Sequence, residues 1–151
     1  MIFYYVRERL VGFNAGLTRR DIETFFGESP FQFMKSKFSV SPTDAYVGQS
    51  AHIYFEATGV IQGIEITRPN LFLCYEGNVL GEKALEFAAW LSSGDPSLTE
   101  DDLGYTLADG RVSLYVPDKG DHPDVLVKSV YVSVKALPNR LPLSRYAPTE
   151  C

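Results

Sequence analysis

The chain has 151 residues, 45% hydrophobic, 13% aromatic and 22% charged, with a net charge of −5. That composition belongs to one globular domain with a sizeable core, and it excludes a disordered or fibrous chain. Excess acid argues against a nucleic-acid partner, which needs a basic footprint, and no apolar run approaches the roughly 20 residues of a membrane span.

Ile2–Val6 is apolar and aromatic and predicts a strand, continued through Leu10–Phe13. This N-terminal stretch lacks the basic segment, long apolar core and cleavage site of a signal peptide. The two cysteines, Cys74 and Cys151, read as free thiols. A cytoplasmic location is therefore expected.

Gly16-Leu17-Thr18 opens a short helix. Thr18 and Asp21 have the spacing of a capping box, and Ile22, Phe25 and Phe26 form one apolar stripe. Gly27, with Pro30 just beyond, is placed to end it. Phe31–Ser36 alternates as a strand does, and Ser39–Asp44 reads as a loop.

Ala51–Ala57 is the clearest strand in the chain, with Ala51, Ile53, Phe55 and Ala57 facing one way and His52, Tyr54 and Glu56 the other. Thr58-Gly59 turns it, and Val60–Thr67 returns with Ile64 and Ile66 inward. Leu71–Tyr75 is a short buried strand, followed by the turn Glu76-Gly77-Asn78. Glu82–Leu91 predicts a second helix with Leu85, Ala88, Ala89 and Leu91 on its buried side. Arg111–Val116 and Val125–Val134 form another hairpin across the long loop Pro117–Pro123. The tail 136–151 is Pro-rich and is expected to pack through Leu141, Leu143 and Tyr146.

Tyr46–Ala57 aligns with Tyr105–Val116 without a gap, and on the return strands Val60 aligns with Leu126, Ile64 with Val130 and Ile66 with Val132. The expected fold is a single α+β domain over 1–151, built from two pseudo-repeated helix-plus-antiparallel-hairpin units, 1–69 and 70–135. These would form one antiparallel sheet with two short helices on one face. The opposite face would carry His52, Tyr54, Glu56 and Glu65 from the first unit and Arg111, Ser113, Tyr115, Tyr131 and Ser133 from the second.

No catalytic constellation emerges. His52 and Glu56 form a potential His–carboxylate pair without a nucleophile, and Asp121, His122 and Asp124 lack a fourth metal ligand at a recognisable spacing. Neither cofactor nor metal is expected. Charge is more telling: residues 95–124 hold eight acids against Arg111 and Lys119, a local net charge of −6. Such a segment attracts a basic partner, and tyrosines on a sheet face supply contact area and hydroxyls at low entropic cost. The expected contact residues are His52, Tyr54, Glu100, Asp101, Asp102, Asp109, Arg111, Tyr115, Asp118, Asp121, Asp124 and Tyr131.

The run from Gly16 through Pro30, with its Gly-apolar-Thr opening and Gly-x-x-Pro exit, is similar to the repeat of the β-lactamase inhibitor protein and its lipoprotein relatives. Leu73-Cys-Tyr-Glu-Gly77, Gly104-Tyr105, Leu114-Tyr-Val-Pro117 and Ser129-Val-Tyr-Val132 resemble small bacterial immunity proteins encoded beside toxins. The resemblance implies a non-enzymatic inhibitor that neutralises a basic toxin, such as a nuclease, by binding it. Two alternatives stand beside it: a small-molecule or enzymatic pocket around His52, Glu56 and Arg111, and a structural homodimer through the tyrosine face.

Overall fold

The structure is a computed structural model that describes residues 3–6, 9–10, 12–68, 73–75, 78–80, 83–94, 96–107, 110–122 and 124–134. Cys151, Asp109 and the tail 136–151 lie outside the described residues, and of Cys74 only the backbone is described. The chain runs β1 (Phe3–Val6), β2 (Arg9–Leu10), α1 (Arg19–Phe26), β3 (Phe31–Phe33), β4 (Thr43–Tyr46), β5 (Ala51–Phe55), β6 (Ile61–Thr67), β7 (Leu73–Tyr75) and β8 (Asn78–Leu80). It continues through α2 (Ala84–Gly94), β9 (Thr99–Asp101), β10 (Gly104–Thr106), β11 (Val112–Tyr115) and β12 (Ser129–Ser133). The fold is α+β, and no described helix is long and apolar enough to cross a membrane.

An eight-stranded antiparallel sheet in the order β3-β4-β5-β6-β12-β11-β10-β9 dominates the described residues. At its centre β6 pairs with β12, placing Ile66 opposite Val130, Glu65 opposite Tyr131 and Ile64 opposite Val132. A second, small sheet, β2-β1-β7-β8, was not anticipated; in it β1 lies parallel to β7.

Helix α1 forms where the capping chemistry places it. The Asp21 carboxylate accepts the Thr18 amide at 2.8 Å, and the Thr18 hydroxyl faces the Asp21 amide in return. Gly27 closes the helix at φ 64°, a left-handed conformation that suits glycine. In α2 the buried side is Ala84, Phe87, Ala88 and Leu91, whereas Leu85 and Ala89 are exposed. The predicted stripe is therefore rotated, with Phe87 and Ala84 taking the core positions expected of Leu85 and Ala89, and the Ala84 amide donates to the Val125 carbonyl at 2.9 Å where the helix begins.

One core takes the buried residues of both helices together with Ile53, Phe55, Ile64, Ile66, Val112, Leu114, Val130 and Val132 from the sheet. Strand alternation does the rest, since successive side chains point to opposite faces. With Ile64 and Ile66 wholly buried, Glu65 between them must face the other way.

The segment read as a loop, Ser39–Asp44, ends in strand β4, all of whose residues are buried. Buried Asp44 accepts from Gln32 at 2.9 Å and faces the Arg19 guanidinium at 3.5 Å. Burial nevertheless raises its pKa above the usual carboxylate value. Arg19 also lies 4.0 Å over the Phe55 ring, joining α1 to the sheet.

The two sheet edges differ. Strand β9 carries Glu100 and Asp101, while β3 exposes Phe31 with Met34 beyond it. Charged edges resist unwanted strand pairing, and apolar edges do not.

Candidate partner-binding groove

The face of the sheet opposite the core is a groove of about 760 Å³. Strand β5 contributes His52 and Tyr54, β6 Gln62 and Glu65, β12 Ser129 and Tyr131, and β11 Ser113 and Tyr115, with Phe33 and Lys35 at one side. Four neighbouring strands thus present polar and aromatic groups on one face, at alternate positions on β5, β11 and β12, while Ile64 and Ile66 of β6 point to the core on either side of Glu65.

Glu65 is the hub. Its Oε1 accepts the Ser129 hydroxyl at 2.7 Å, and its Oε2 accepts the Tyr54 hydroxyl. The His52 Nδ1 stands 3.8 Å from Oε2 and the Lys35 Nζ 3.7 Å. With its side chain only 18% exposed, the carboxylate is desolvated, yet its pKa is held down at about 2. The facing His52 ring nitrogen is the largest cause, joined by the Tyr54 and Ser129 hydroxyls and the Lys35 charge. Donors aimed at a carboxylate favour its charged form more than burial penalises it.

Tyr54 responds in the opposite direction. Burial, and then donation to the Glu65 carboxylate, raises its pKa above the ordinary phenol value. Burial likewise raises that of Tyr131. An efficient general base or acid titrates near the working pH. Near neutrality Glu65 is thus held as a carboxylate and Tyr54 as a phenol.

Glycine at position 63 lies buried beneath the Tyr131 ring. It stands opposite Tyr54 on β5 and Ser133 on β12, and a Cβ there would run into the Tyr131 ring and hydroxyl. Its missing side chain leaves room for the two tyrosine rings.

Of the residues anticipated from sequence, His52, Tyr54, Tyr115, Tyr131 and Asp101 line the groove. Arg111 and Glu56 are not among its lining residues, so the carboxylate beside His52 is Glu65 on the partner strand. Glu56 lies beyond the end of β5. The acidic residues divide. Asp101 accepts the amides of Leu103 and Gly104 at 2.8 and 2.9 Å, and so shapes its own turn. Glu100 is bridged by Lys119 at 2.8 Å, and Asp124 faces Lys83 at 3.3 Å. Asp102, Asp118 and Asp121 are exposed.

Lys35, Ser129 and the anchoring role of Glu65 were missed. Strand alternation marks Glu65 as outward, but its partner Ser129 lies 64 residues away and no local spacing links them. Compared with known proteins, the chain matches no family model, no curated protein and no solved structure.

Proposed function

We propose that this chain is a non-enzymatic binding protein of the immunity or inhibitor type, receiving a basic protein partner on the groove. The observation that carries the proposal is the ionised, desolvated Glu65 set among Tyr54, Tyr115 and Tyr131 on a sheet face that is open among the described residues. Aromatic area around a fixed charge is the chemistry of an interface hot spot. Exposed Asp102, Asp118 and Asp121 add negative charge to the segment that follows α2, where they would steer a basic partner.

The same proposal includes a duplicated architecture. Each half runs helix then four strands, and the strand order reads outward in opposite directions from the β6–β12 pair. The helix entries support it further: Thr18 bridges Val60 and Lys83 bridges Leu126, two positions that correspond by sequence. Register differs between the copies. Tyr46 stands opposite Ala51, whereas Tyr105 stands opposite Leu114, so the turn within the second copy is longer and the gapless alignment of these strands does not hold.

Photo-crosslinking in the source cell tests the binding function. A benzoylphenylalanine at Tyr115 should capture a basic protein, while one at exposed Leu85 on α2 should not. Capture from position 85 alone, or of an acidic protein from 115, would overturn it. Self-capture at 115 would favour a homodimer.

A second reading rests on volume. About 760 Å³ lies within the roughly 300–1,000 Å³ typical of small-molecule sites, and His52 with Glu65 would give such a ligand polar anchors.

A further inference from the structure

We infer that the Glu65 end of the groove is a cation subsite, filled by the chain's own Lys35 when no partner is bound and taken over by a basic side chain of the partner. This deepens the groove reading and rests on it. Lys35 follows β3 and reaches across to the groove, where its Nζ donates to the Tyr54 hydroxyl at 2.8 Å. The same ammonium lies 4.7 Å over the Tyr54 ring and 3.7 Å from Glu65. A cation is thus already seated where the carboxylate and the aromatic face converge.

The two sides of this ion pair are held very differently. Glu65 is fixed by Ser129 on β12 and Tyr54 on β5, with its own backbone in β6. The Lys35 side chain is 61% exposed and lies beyond the end of its strand. Only the lysine end of the pair is exposed, so the ammonium can turn out into solvent without disturbing the strands that hold Glu65. The carboxylate is held from three strands, whereas its internal occupant reaches it on one exposed side chain.

The walls favour a flat cation. Tyr54 and Tyr131 meet at 69° with 5.8 Å between centroids, and Phe33 packs edge-on against His52 at 5.4 Å. A guanidinium stacks on such rings while donating to a carboxylate, whereas an ammonium is a point charge. Each carboxylate oxygen accepts more than one donor, so Ser129 and Tyr54 do not exhaust Glu65. The structure therefore points to an arginine side chain as the preferred occupant.

The probe is N-acetyl-arginine methylamide, titrated by NMR into the full chain at low salt, with N-acetyl-glutamate methylamide as control. Weak binding is expected, with shifts at Gly63, Tyr54 and Tyr131. Lys35→Met should bind about two- to fivefold tighter, because the competing ammonium is gone from the carboxylate. Glu65→Gln should abolish binding, and Tyr54→Phe, which keeps the ring, guards against misfolding of that variant by weakening binding while retaining the fold. Unchanged or weaker binding in Lys35→Met, or binding that survives in folded Glu65→Gln, would overturn the subsite. If the partner still crosslinks from Tyr115 in Glu65→Gln as in the parent, the subsite fails and the groove reading stands. If the probe binds but nothing crosslinks from Tyr115, the groove reading fails and takes with it the partner's side chain as occupant, leaving only a site for a free guanidinium.

Discussion

Tyr54 and Tyr131 come from strands on either side of β6 and meet edge to face, 5.8 Å between centroids, across the one position of that strand that has no side chain, Gly63. The contact is made by an absence. Gly63→Ala should therefore destabilise the fold by roughly 1–3 kcal/mol through overpacking. Removing the obstructing ring as well, in Gly63→Ala with Tyr131→Ala, should cost less than the sum of the two single changes. Urea unfolding of the four proteins measures this coupling, and strict additivity would show that the ring does not rest on position 63.

Glu65 makes stability depend on acid. Its carboxyl has a pKa of 4.5 ordinarily and about 2 in the fold. A depressed folded-state pKa contributes stability that is complete above 4.5 and is lost as pH falls toward 2. The contribution at neutral pH is on the order of 3 kcal/mol, since each tenfold change in proton affinity is worth about 1.4 kcal/mol. The stability difference between the parent chain and Glu65→Gln should shrink across that window. Denaturant midpoints at pH 7, 4.5 and 3 would show it, and a constant difference would mean that Glu65 titrates as it does in the unfolded chain.

Neighbouring aspartates should behave unequally. Asp101 accepts two backbone amides, so Asp101→Ala should cost about 1–2 kcal/mol by leaving the turn amides without their charged acceptor. Asp102 is exposed, and Asp102→Ala should fall within about 0.5 kcal/mol of the parent. Thermal unfolding of the two variants side by side is sufficient, and equal losses would refute the assignment.

Charge steering should be visible in rates. With Asp102, Asp118 and Asp121 changed to Lys, association with the basic partner proposed above should slow several-fold at low salt while dissociation holds steady. The effect should fade at high ionic strength, where the Debye length shortens. Stopped-flow or surface-plasmon kinetics at two salt concentrations would decide it, and a change confined to dissociation would place these acids in the interface itself.

What the amino-acid order revealed was local. Thr18, Asp21 and Gly27 announced α1 because each acts within a few residues of the chain, and the β5–β6 hairpin showed itself through alternation. Strand β4 stayed hidden because Thr43 and Asp44 look polar, and only Gln32 and Arg19, remote in sequence, make Asp44 tolerable inside. Strands β9 and β10 are three residues each, too short for a period to register. His52 and three tyrosines were legible as outward-facing groups. The choice of Glu65 over Glu56 was not, since it depends on which residue of β6 stands opposite His52.

The bond between Ser129 and Glu65 spans 64 positions of the chain. Such a contact forms only after residues far apart in the chain have met, unlike the β5–β6 hairpin, whose strands are joined by a short turn. The groove is therefore not a property of either sequence segment by itself: its lining comes from strands on both sides of the β6–β12 pair, so it is complete only once those two strands have met.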